Sequence, residues 1–352
     1  MAPAVRSRFT VIEMKVYELQ KGSTSIGGLR RATRPDPVPG PREVLIRVRA
    51  ASLNYRDHLI VTGQYFSGVV DRDIIPLSDG AGEVASVGAD VSRFRPGDRV
   101  AGTFFQVWKE GPKVTLPPAL GVPLDGTLAE YISLHEDGVV ALPPTLSFEE
   151  AATLPCAGVT AWNALMVIGN RVKAGDTVLC QGTGGVSMLA MQFALAAGAR
   201  VIVSSSSDDK IKRARALGAS EGINYKTHPD WATEVLRLTN GRGVDLIVEI
   251  GGAGSLALSY QAIGFGGKIA LIGFLSVPGG GDPNPAPLMM KAASLCGVGV
   301  GNTASFEDLN RAISINGIKP VIDTVHPFDD AARAFTRLAA GDFFGKLVIA
   351  VA

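Results

Sequence analysis

The pattern of hydrophobic and polar residues changes near residue 150 of this 352-residue chain. Before that point, short alternating runs such as Val44, Ile46 and Val48 are separated by turn residues, for example at 96–98. After it, apolar β runs alternate with stretches of helical spacing. The pattern predicts an α/β protein in which a β-rich N-terminal domain precedes a doubly wound parallel sheet of about six strands.

Residues 177–204 predict a strand, a glycine turn, a helix and a second strand in one unbroken stretch. Gly182, Gly184 and Gly185 allow the backbone to turn sharply and to approach a pyrophosphate, which then lies at the helix N-terminus. Ser187 stands where the full G-x-G-x-x-G pattern has its third glycine, and it is small enough for close packing of helix and strand. The stretch therefore predicts a dinucleotide-binding domain.

The residues after the second strand indicate which dinucleotide binds. An NAD enzyme usually has an Asp or Glu there to bind the ribose 2′-hydroxyl, whereas this chain has serines at 204–207. Hydroxyl groups can donate to a 2′-phosphate, and Lys210 and Tyr225 follow within reach. Lys210 is interpreted equally well as a solvated helix residue, and Asp208 as the N-cap of the helix that ends near Leu217. The pattern favours NADPH (NADP+) as the cofactor.

Composition excludes several classes of partner. The 34 basic and 33 acidic side chains nearly cancel, so there is no charge field to attract nucleic acid or an anionic membrane. The longest apolar stretch is the predicted cofactor helix, which is too short to span a bilayer. Cys156, Cys180 and Cys296 suit neither a disulfide framework nor a four-cysteine zinc site, which fits a reducing compartment. We expect a cytoplasmic protein that acts on a small molecule.

Several segments agree with one protein superfamily. They are PGDRV at 96–100, GTLAEY at 126–131, LPCAGVTAW at 154–162, the glycine turn, and FGK at 344–346. Through these segments the whole chain resembles the medium-chain dehydrogenase/reductase superfamily. The resemblance implies a GroES-like catalytic domain made of residues 1–155 and 318–352, a Rossmann domain at 156–317, and a cleft between them where the nicotinamide meets the substrate. From the pattern alone, the strand, helix and strand predicted at 319–351 could close either domain.

The chain departs from the zinc-dependent alcohol dehydrogenases of this superfamily at the metal ligands. The resemblance places Asn54, Ser78 and Cys156 at the three ligand positions, and Asn and Ser are poor zinc ligands. A weaker carboxylate site at Asp57 or Asp79 is the alternative. The chain thus resembles the zinc-free, quinone-oxidoreductase-like branch, although parts of it also resemble proteins of the alcohol dehydrogenase type. We predict no catalytic metal.

Without a metal, a hydrogen-bond donor has to stabilise the charge that develops on the substrate oxygen. Tyr55 is the first candidate for a proton donor or oxyanion partner, with packing at a strand end as the alternative. Arg56 is a candidate orienting charge, and Asn54 either positions the nicotinamide or substrate or caps a loop. Cys156 is interpreted as a small buried residue, as a former ligand position that lines the cleft, or as a nucleophile without an evident His partner.

The predicted binding residues follow from these patterns and from the resemblance. The cofactor contacts are Thr160, Gly182, Thr183, Gly184, Gly185, Val186, Ser204, Ser205, Ser206, Lys210, Tyr225, Ile250, Gly273, Phe274, Leu275, Phe344 and Lys346. The substrate pocket is formed by Asn54, Tyr55, Cys156 and Phe274. An aromatic and proline-rich insertion at 104–124 either shapes a bulky, apolar pocket or packs as a surface loop. The glycine-rich loop at 274–287 is interpreted either as a closing lid or as a plain surface turn.

Three functions remain open. The first is zinc-independent, NADPH-dependent reduction of an α,β-unsaturated carbonyl compound or a quinone by hydride transfer, because charge then spreads into an enolate. The second is an NADP(H)-dependent carbonyl reductase or alcohol dehydrogenase, and the third is a non-catalytic NADPH-binding protein. The resemblance also implies a homodimer, joined through the uncharged β run from Ser294 to Val300.

Overall fold

The computed structural model describes residues 13–113, 115–168, 171–273, 275 and 284–351. The N-terminal part contains β1 (Glu13–Leu19), β2 (Leu29–Pro35), β3 (Glu43–Ser52), α1 (Tyr55–Val61), β4 (Asp79–Val87), β5 (Arg99–Gly102), β6 (Tyr131–His135) and β7 (Val139–Ala141). The remainder contains α2 (Phe148–Ala152), α3 (Val159–Trp162), β8 (Thr177–Gln181), α4 (Gly185–Ala196), β9 (Arg200–Ser205), α5 (Asp208–Ala216), β10 (Glu221–Asn224), α6 (Trp231–Leu238), β11 (Val244–Glu249), α7 (Leu256–Ala262), β12 (Ile263–Leu271), α8 (Ala286–Met290), β13 (Ser294–Gly297), α9 (Thr303–Asn316), β14 (Ile322–Pro327), α10 (Ala331–Ala340) and β15 (Lys346–Ala350).

The N-terminal domain is built on a largely antiparallel sheet with the order β14-β15-β3-β4-β5-β7, and β6 also pairs with β3. The strands β1 and β2 form a separate antiparallel pair. At the end of the chain, β15 pairs antiparallel with β3, with Val348 opposite Ser52. The last strands of the chain therefore complete the sheet of the GroES-like domain.

The second domain is a six-stranded sheet with the order β10-β9-β8-β11-β12-β13, in which each neighbouring pair is parallel. The strand order reverses between β8 and β11, and in such sheets a ligand binds at the carboxyl ends of the strands on either side of that point. Both the β-rich domain and the doubly wound parallel sheet were predicted, so the predicted fold class is confirmed. In the described residues, no helix is long and apolar enough to cross a membrane.

A helical segment from 148 to 168 connects the two domains. Ser147 caps it: its hydroxyl accepts the Glu150 N–H at 3.1 Å, while the Glu150 carboxylate accepts the Ser147 N–H at 2.8 Å. Two stretches, 154–158 and 163–168, have the wider π-helical turn, which is frequent at functional sites. Cys156 lies in the first of them, so the predicted domain boundary at 155 falls inside this helical segment.

Local predictions were wrong at two helix starts. Ser207, rather than Asp208, is the N-cap of α5, because its hydroxyl accepts the Lys210 N–H while the Asp208 carboxylate accepts Asn224 Nδ2 at 2.8 Å. Tyr55 does not lie at the end of a strand. It begins α1, because β3 ends at Ser52 and two residues separate that strand from the helix.

The predicted strand bounds also shift. The first strand of the predicted segment 319–351 begins three residues later, as β14. The run from Ser294 to Val300 is a strand only as far as Gly297. Strand bounds are set by the pairing with neighbouring strands, which composition does not encode.

Candidate active site

The glycine turn between β8 and α4 has the shape that a pyrophosphate requires. Gly182 has φ +72°, and a Cβ there would lie 2.8 Å from Ile250 Cδ1. The Ser187 hydroxyl donates to the Gln181 carbonyl and so closes the turn from the helix side. Gly184 is the N-cap of α4 without a side-chain cap, and nothing lies within 4 Å of where its Cβ would be. The first N–H groups of α4 therefore face open space, which fits a phosphate.

The C-terminal tail lies directly against this turn. The Gly345 N–H donates to the Thr183 carbonyl at 2.8 Å, and Gly184 and Gly345 form an isolated parallel bridge. A Cβ at Gly185 would clash with the side-chain stem of Lys346. The tail of one domain thus passes over the phosphate-binding turn of the other, and Gly185 leaves room for it.

Lys346 directs its ammonium group away from the turn and into the catalytic domain. Its Nζ donates at 2.6 Å to the Leu53 carbonyl and at 2.6 Å to Asn54 Oδ1, and it lies 3.8 Å from Asp79 Oδ2. Asp79 is fully buried and accepts from the Ser78 hydroxyl at 2.8 Å. Two of the three ammonium protons are thus donated, and Asp79 provides an opposite charge nearby. The ammonium of Lys346 binds Asn54 in this structure. Its predicted contact with the cofactor stays a prediction.

Asn54 lies at the junction of β3 and α1. Its N–H donates to Asp57 Oδ2 at 2.8 Å, which fixes the start of the helix. Burial raises the pKa of the Asp57 carboxyl to about 6, although Arg56 and the Asn54 N–H act in the opposite direction. In the described part of the chain, Asn54 Nδ2 is buried and has no hydrogen-bond partner.

The other two predicted catalytic residues differ in exposure. Tyr55, next to Asn54, is 41% exposed, and its ring lies 5.9 Å from that of His58. Arg56 is buried, donates to the Leu120 carbonyl at 3.0 Å, and lies over the ring of Tyr65 at 5.0 Å. Arg56 therefore joins α1 to the insertion through the Leu120 carbonyl. Its predicted role as an orienting charge for the substrate stays a prediction. Tyr55 remains the predicted proton donor.

Cys156 is partly exposed but closely surrounded. Burial, followed by the negative charge of Asp79, raises the pKa of its thiol well above the ordinary value. The thiol therefore stays protonated at neutral pH. A protonated thiol is a weak nucleophile, which argues against the interpretation of Cys156 as a nucleophile.

The three positions that align with zinc ligands in the resembled enzymes have other partners here. Asn54 Oδ1 accepts from the Lys346 ammonium, and the Ser78 hydroxyl donates to Asp79. Asn and Ser are in addition poor zinc ligands. Among the residues that the structure describes, no three His, Cys, Asp or Glu side chains come together as a metal site. The side chains at these positions therefore fit the ammonium of Lys346 better than a metal dication.

The serines predicted to bind the 2′-phosphate lie at the end of β9. Ser204 and Ser205 are buried, whereas Ser206 is partly exposed. The Tyr225 N–H donates to the Ser205 carbonyl at 3.1 Å, which brings the exposed Tyr225 ring to the same end of the sheet. Lys210 Nζ donates to the Gly341 carbonyl at 3.3 Å, at the end of α10. The predicted phosphate contacts are thus neighbours, and Lys210 links the two domains.

The remaining predicted cofactor contacts fall into two groups. Ile250, Gly273 and Leu275 lie together at the carboxyl end of the sheet, since the Leu275 N–H donates to the Ile250 carbonyl at 3.2 Å. Val186 is the second residue of α4, beside the turn. Thr160 and Phe344 are buried, and Arg213 covers the Phe344 ring at 4.1 Å, so these side chains do not line an open surface. Phe274 and most of the loop at 274–287 lie outside the described residues.

The insertion at 104–124 reaches across to the Rossmann domain. The carbonyls of Trp108 and Lys109 accept the N–H groups of Thr303 and Ala304, both at 3.0 Å, at the N-terminus of α9. This part of the insertion is therefore a contact between domains. Its other predicted role, in shaping the substrate pocket, stays a prediction.

Sequence reasoning missed a buried carboxylate at the edge of the dinucleotide site. Glu249 ends β11 and is fully buried. Its carboxylate accepts from Gln181 Nε2, the Ser255 and Ser259 hydroxyls, and the N–H groups at 251 and 252. It therefore fixes the loop after β11 to the end of β8. A charged residue at the end of an apolar strand was the signal that could have identified it.

The chain matches two protein families along its length. Residues 40–144 match the family described as the alcohol dehydrogenase GroES-like domain, and residues 185–315 match the family described as zinc-binding dehydrogenase. The chain is 42% identical over 318 residues to a zinc-type alcohol dehydrogenase-like protein of Schizosaccharomyces pombe, covering 88% of this chain and 91% of that protein. It is 32% identical over 324 residues to a quinone oxidoreductase of Pseudomonas aeruginosa, covering 88% and 92%.

Solved structures resemble the whole chain. A crystal structure described as an NAD-dependent alcohol dehydrogenase is 35% identical, with a TM-score of 0.88 over 96% of this chain and 100% of its own. A mycobacterial protein in complex with NADPH is 27% identical, with a TM-score of 0.78 over 96% of this chain and 100% of its own. The similarity therefore extends over both domains.

Proposed function

The chain belongs to the medium-chain dehydrogenase/reductase superfamily, and from that premise we propose that it is a zinc-independent, NADPH-dependent reductase of α,β-unsaturated carbonyl compounds or quinones. Membership makes it an oxidoreductase that uses a nicotinamide cofactor. One observation carries the finer proposal: Lys346 Nζ lies 2.6 Å from Asn54 Oδ1, at a position where zinc-dependent relatives have a ligand. An ammonium in that place repels a dication, so the reaction has to proceed by hydrogen bonding alone.

Conjugate reduction is the reaction that such a site performs most easily. Bound NADPH supplies a hydride, which forms a C–H bond at the β-carbon of the substrate. The electron pair of the C=C bond moves towards the carbonyl oxygen, and the resulting enolate later takes a proton at the α-carbon. The charge on that oxygen is spread over the conjugated system, so one or two N–H or O–H donors replace a Lewis acid. Asn54 Nδ2 and the Tyr55 hydroxyl are the donors available.

The preference for NADPH rests on the end of β9. In place of an acidic residue it presents Ser206, with Lys210 and Tyr225 nearby. Fluorescence titration is expected to show NADPH binding at least about tenfold more tightly than NADH, which one charge-assisted hydrogen bond to phosphate supplies. Equal affinities, or tighter binding of NADH, would contradict the proposal.

An alcohol dehydrogenase or carbonyl reductase is the second candidate. The observation that favours it is the 42% identity with a protein described as zinc-type alcohol dehydrogenase-like. The two candidates are separated by cofactor oxidation in the presence of 2-cyclohexenone, 1,4-benzoquinone and cyclohexanone, before and after dialysis against a zinc chelator.

We expect turnover of the enone or the quinone, none of the saturated ketone, and no effect of chelation. Turnover of cyclohexanone that is lost on chelation and restored by zinc would establish the second candidate. Binding of NADPH without turnover of any of the three compounds would favour a non-catalytic NADPH-binding protein.

A further inference from the structure

We propose that the Asn54 amide is the oxyanion donor of this enzyme and that Lys346 is the positioning residue that orients and polarises it. The proposal rests on the proposed function, because it assigns the group that stabilises the enolate. Asn54 touches the substrate oxygen through Nδ2, and Lys346 acts only through Asn54.

The contact with Lys346 fixes which end of the amide faces the substrate. An ammonium can only donate, so the amide atom that lies 2.6 Å from Lys346 Nζ has to be the carbonyl oxygen. The NH₂ group then points the other way. The two ends of an Asn amide are otherwise interchangeable by rotation, and without Lys346 the oxygen could face a substrate oxygen, which would repel it.

The NH₂ group that results is a buried donor without a partner in the described residues. Leaving such a group unsatisfied costs about 1–3 kcal/mol, and native proteins keep few of them. Asn54 as a whole is only half-buried and is followed by the exposed Tyr55, whereas its Nδ2 atom is itself buried. A donor held in this way is suited to an oxygen that arrives with a ligand.

The surroundings of Lys346 make the contact rigid. The Lys346 stem lies over Gly185, where a Cβ would clash with it, and the preceding Gly345 N–H is bonded to Thr183. Asp79 lies 3.8 Å from Lys346 Nζ and balances its charge. A charged hydrogen bond to the amide oxygen draws electron density from the nitrogen, which strengthens the opposite N–H as a donor. The segment that crosses the phosphate-binding turn thus also orients the donor.

The first test compares turnover of 2-cyclohexenone by the wild-type protein and four variants. Asn54→Asp keeps the shape and the oxygen that accepts from Lys346, but it removes the NH₂ donor. We expect kcat to fall by about 100-fold or more, as for the loss of one oxyanion donor, with the Kd for NADPH unchanged within about twofold. Lys346→Met combined with Asp79→Asn, which leaves no unpaired buried charge, is expected to lower kcat by at least about tenfold.

Asn316→Asp is the matched control, because the same chemical change is made at an exposed helix end where Asn316 Nδ2 bonds only to the Ala312 carbonyl. It is expected to keep the wild-type kcat. When the Asn54 and Lys346 changes are combined, the losses should not add, because both remove the same donor. Additive losses would mean that Lys346 acts independently of Asn54 and would overturn its role.

The second test needs no turnover. Infrared difference spectra of 2-cyclohexenone bound with NADP+ report directly on the hydrogen bond to its carbonyl oxygen. We expect the C=O stretch to lie at lower frequency in the wild-type protein and in Asn316→Asp than in Asn54→Asp or in the Lys346 variant. An identical frequency in wild type and Asn54→Asp would overturn the proposal.

The assignment of Asn54 and Lys346 and the proposed function would fail in different ways. If the wild-type protein reduces enones, while Asn54→Asp keeps kcat within about threefold and leaves the C=O stretch unchanged, the assignment of Asn54 and Lys346 is wrong and the proposed function stands. If the wild-type protein reduces neither enones nor quinones, the proposed function is wrong, and this assignment fails with it.

Discussion

Tyr55 and Asn54 are adjacent in the chain, and in the proposed mechanism Asn54 acts at the substrate oxygen while Tyr55 supplies the proton for the α-carbon. Tyr55 is 41% exposed, so its hydroxyl can exchange protons with water. Tyr55→Phe removes only that hydroxyl and keeps the ring beside His58. If Tyr55 donates the proton, kcat/KM for an enone should fall by about tenfold to a thousandfold, or about 1.4 to 4 kcal/mol. Steady-state kinetics measures the fall, and NADPH titration should show unchanged affinity.

Cys156→Ser serves as the comparison, because we propose that this thiol lines the cleft without reacting. In the same assay it should lower kcat/KM by less than about fivefold. A silent Tyr55→Phe beside an inactive Cys156→Ser would contradict the assignment and indicate a mechanism assisted by the thiol or by a metal. Loss of NADPH binding in Tyr55→Phe would instead make Tyr55 a cofactor contact.

The residues of the site could be predicted where one segment carries them, and not where distant segments meet. Asn54 and Tyr55 were proposed from the sequence, because they stand together at the positions of the zinc-binding segment in the resembled superfamily. The partner of Asn54 was not identified. Lys346 lies 292 residues later, and only the pairing of β15 with β3 brings it to Leu53 and Asn54.

At the scale of elements, Glu136 joins three loops of the catalytic domain. Its carboxylate accepts the N–H groups of Ser92 and Arg93, at 3.0 and 3.1 Å, and two donors of Arg42. These contacts, the Ser92 N–H foremost, lower the pKa of Glu136 to about 2. Because the folded pKa is lowered, the stabilisation is complete above the ordinary pKa of about 4.3 and is lost as the pH falls towards 2.

Glu136→Gln is therefore expected to lower the free energy of unfolding by about 1–3 kcal/mol at pH 7, with a smaller difference from wild type at pH 3. Urea denaturation at a series of pH values measures both. Glu110→Gln, at an exposed position of the insertion, is the matched control and should change little. If Glu136→Gln lowers the free energy of unfolding by the same amount at pH 7 and pH 3, the role of the ionised carboxylate is contradicted.

Helices and strands were predicted well where a hydrophobic repeat extends over many residues. They were predicted poorly where strand pairing or helix capping sets the ends of an element. The helix α4 and the strand β9 lie where spacing places them, because an apolar run bounded by glycines leaves few alternatives. The end of β13 was missed because Val298 and Val300 are apolar like the strand residues, yet they are buried beyond its end. The cap of α5 was missed because Ser207 and Asp208 are both good caps.

At the scale of the molecule, we propose a homodimer joined through β13. This strand pairs only with β12 in the described sheet, and the exposed Leu295 lies on it, while Phe265, Met289 and Met290 are also exposed nearby in the fold. An apolar open edge of this kind favours pairing with a second copy, and a stable interface buries roughly 1,200 Å² or more.

Leu295→Lys should convert the dimer into a monomer, as measured by light scattering at micromolar concentration, because the charge would be buried at the strand pairing. Leu295 is a better probe than Val298, which packs against Ala164 and Ala270 in the core. Ile315→Lys, on the exposed face of α9, is the control and should leave the mass unchanged. A wild-type protein of monomer mass would contradict the proposed dimer.

The two-domain architecture was the most predictable feature of the molecule. The change of pattern near residue 150 is visible in the sequence because apolar residues repeat with different periods in strands and in helices. The contacts between domains were not predictable, since the bonds from Trp108 to α9 and from Gly345 to Thr183 join backbone atoms far apart in the chain. Side-chain type carries little information about such backbone contacts.

The central claim is that hydride goes to a conjugated carbon without help from a metal. It is tested most directly with 2-cyclohexenone and NADPH that carries deuterium at C4 of the nicotinamide, using protein from which metals have been removed by chelation. We predict cyclohexanone with deuterium at the β-carbon, formed at the same rate before and after chelation. Deuterium at the carbinol carbon of an allylic alcohol, or activity that disappears with the metal and returns with zinc, would contradict the account.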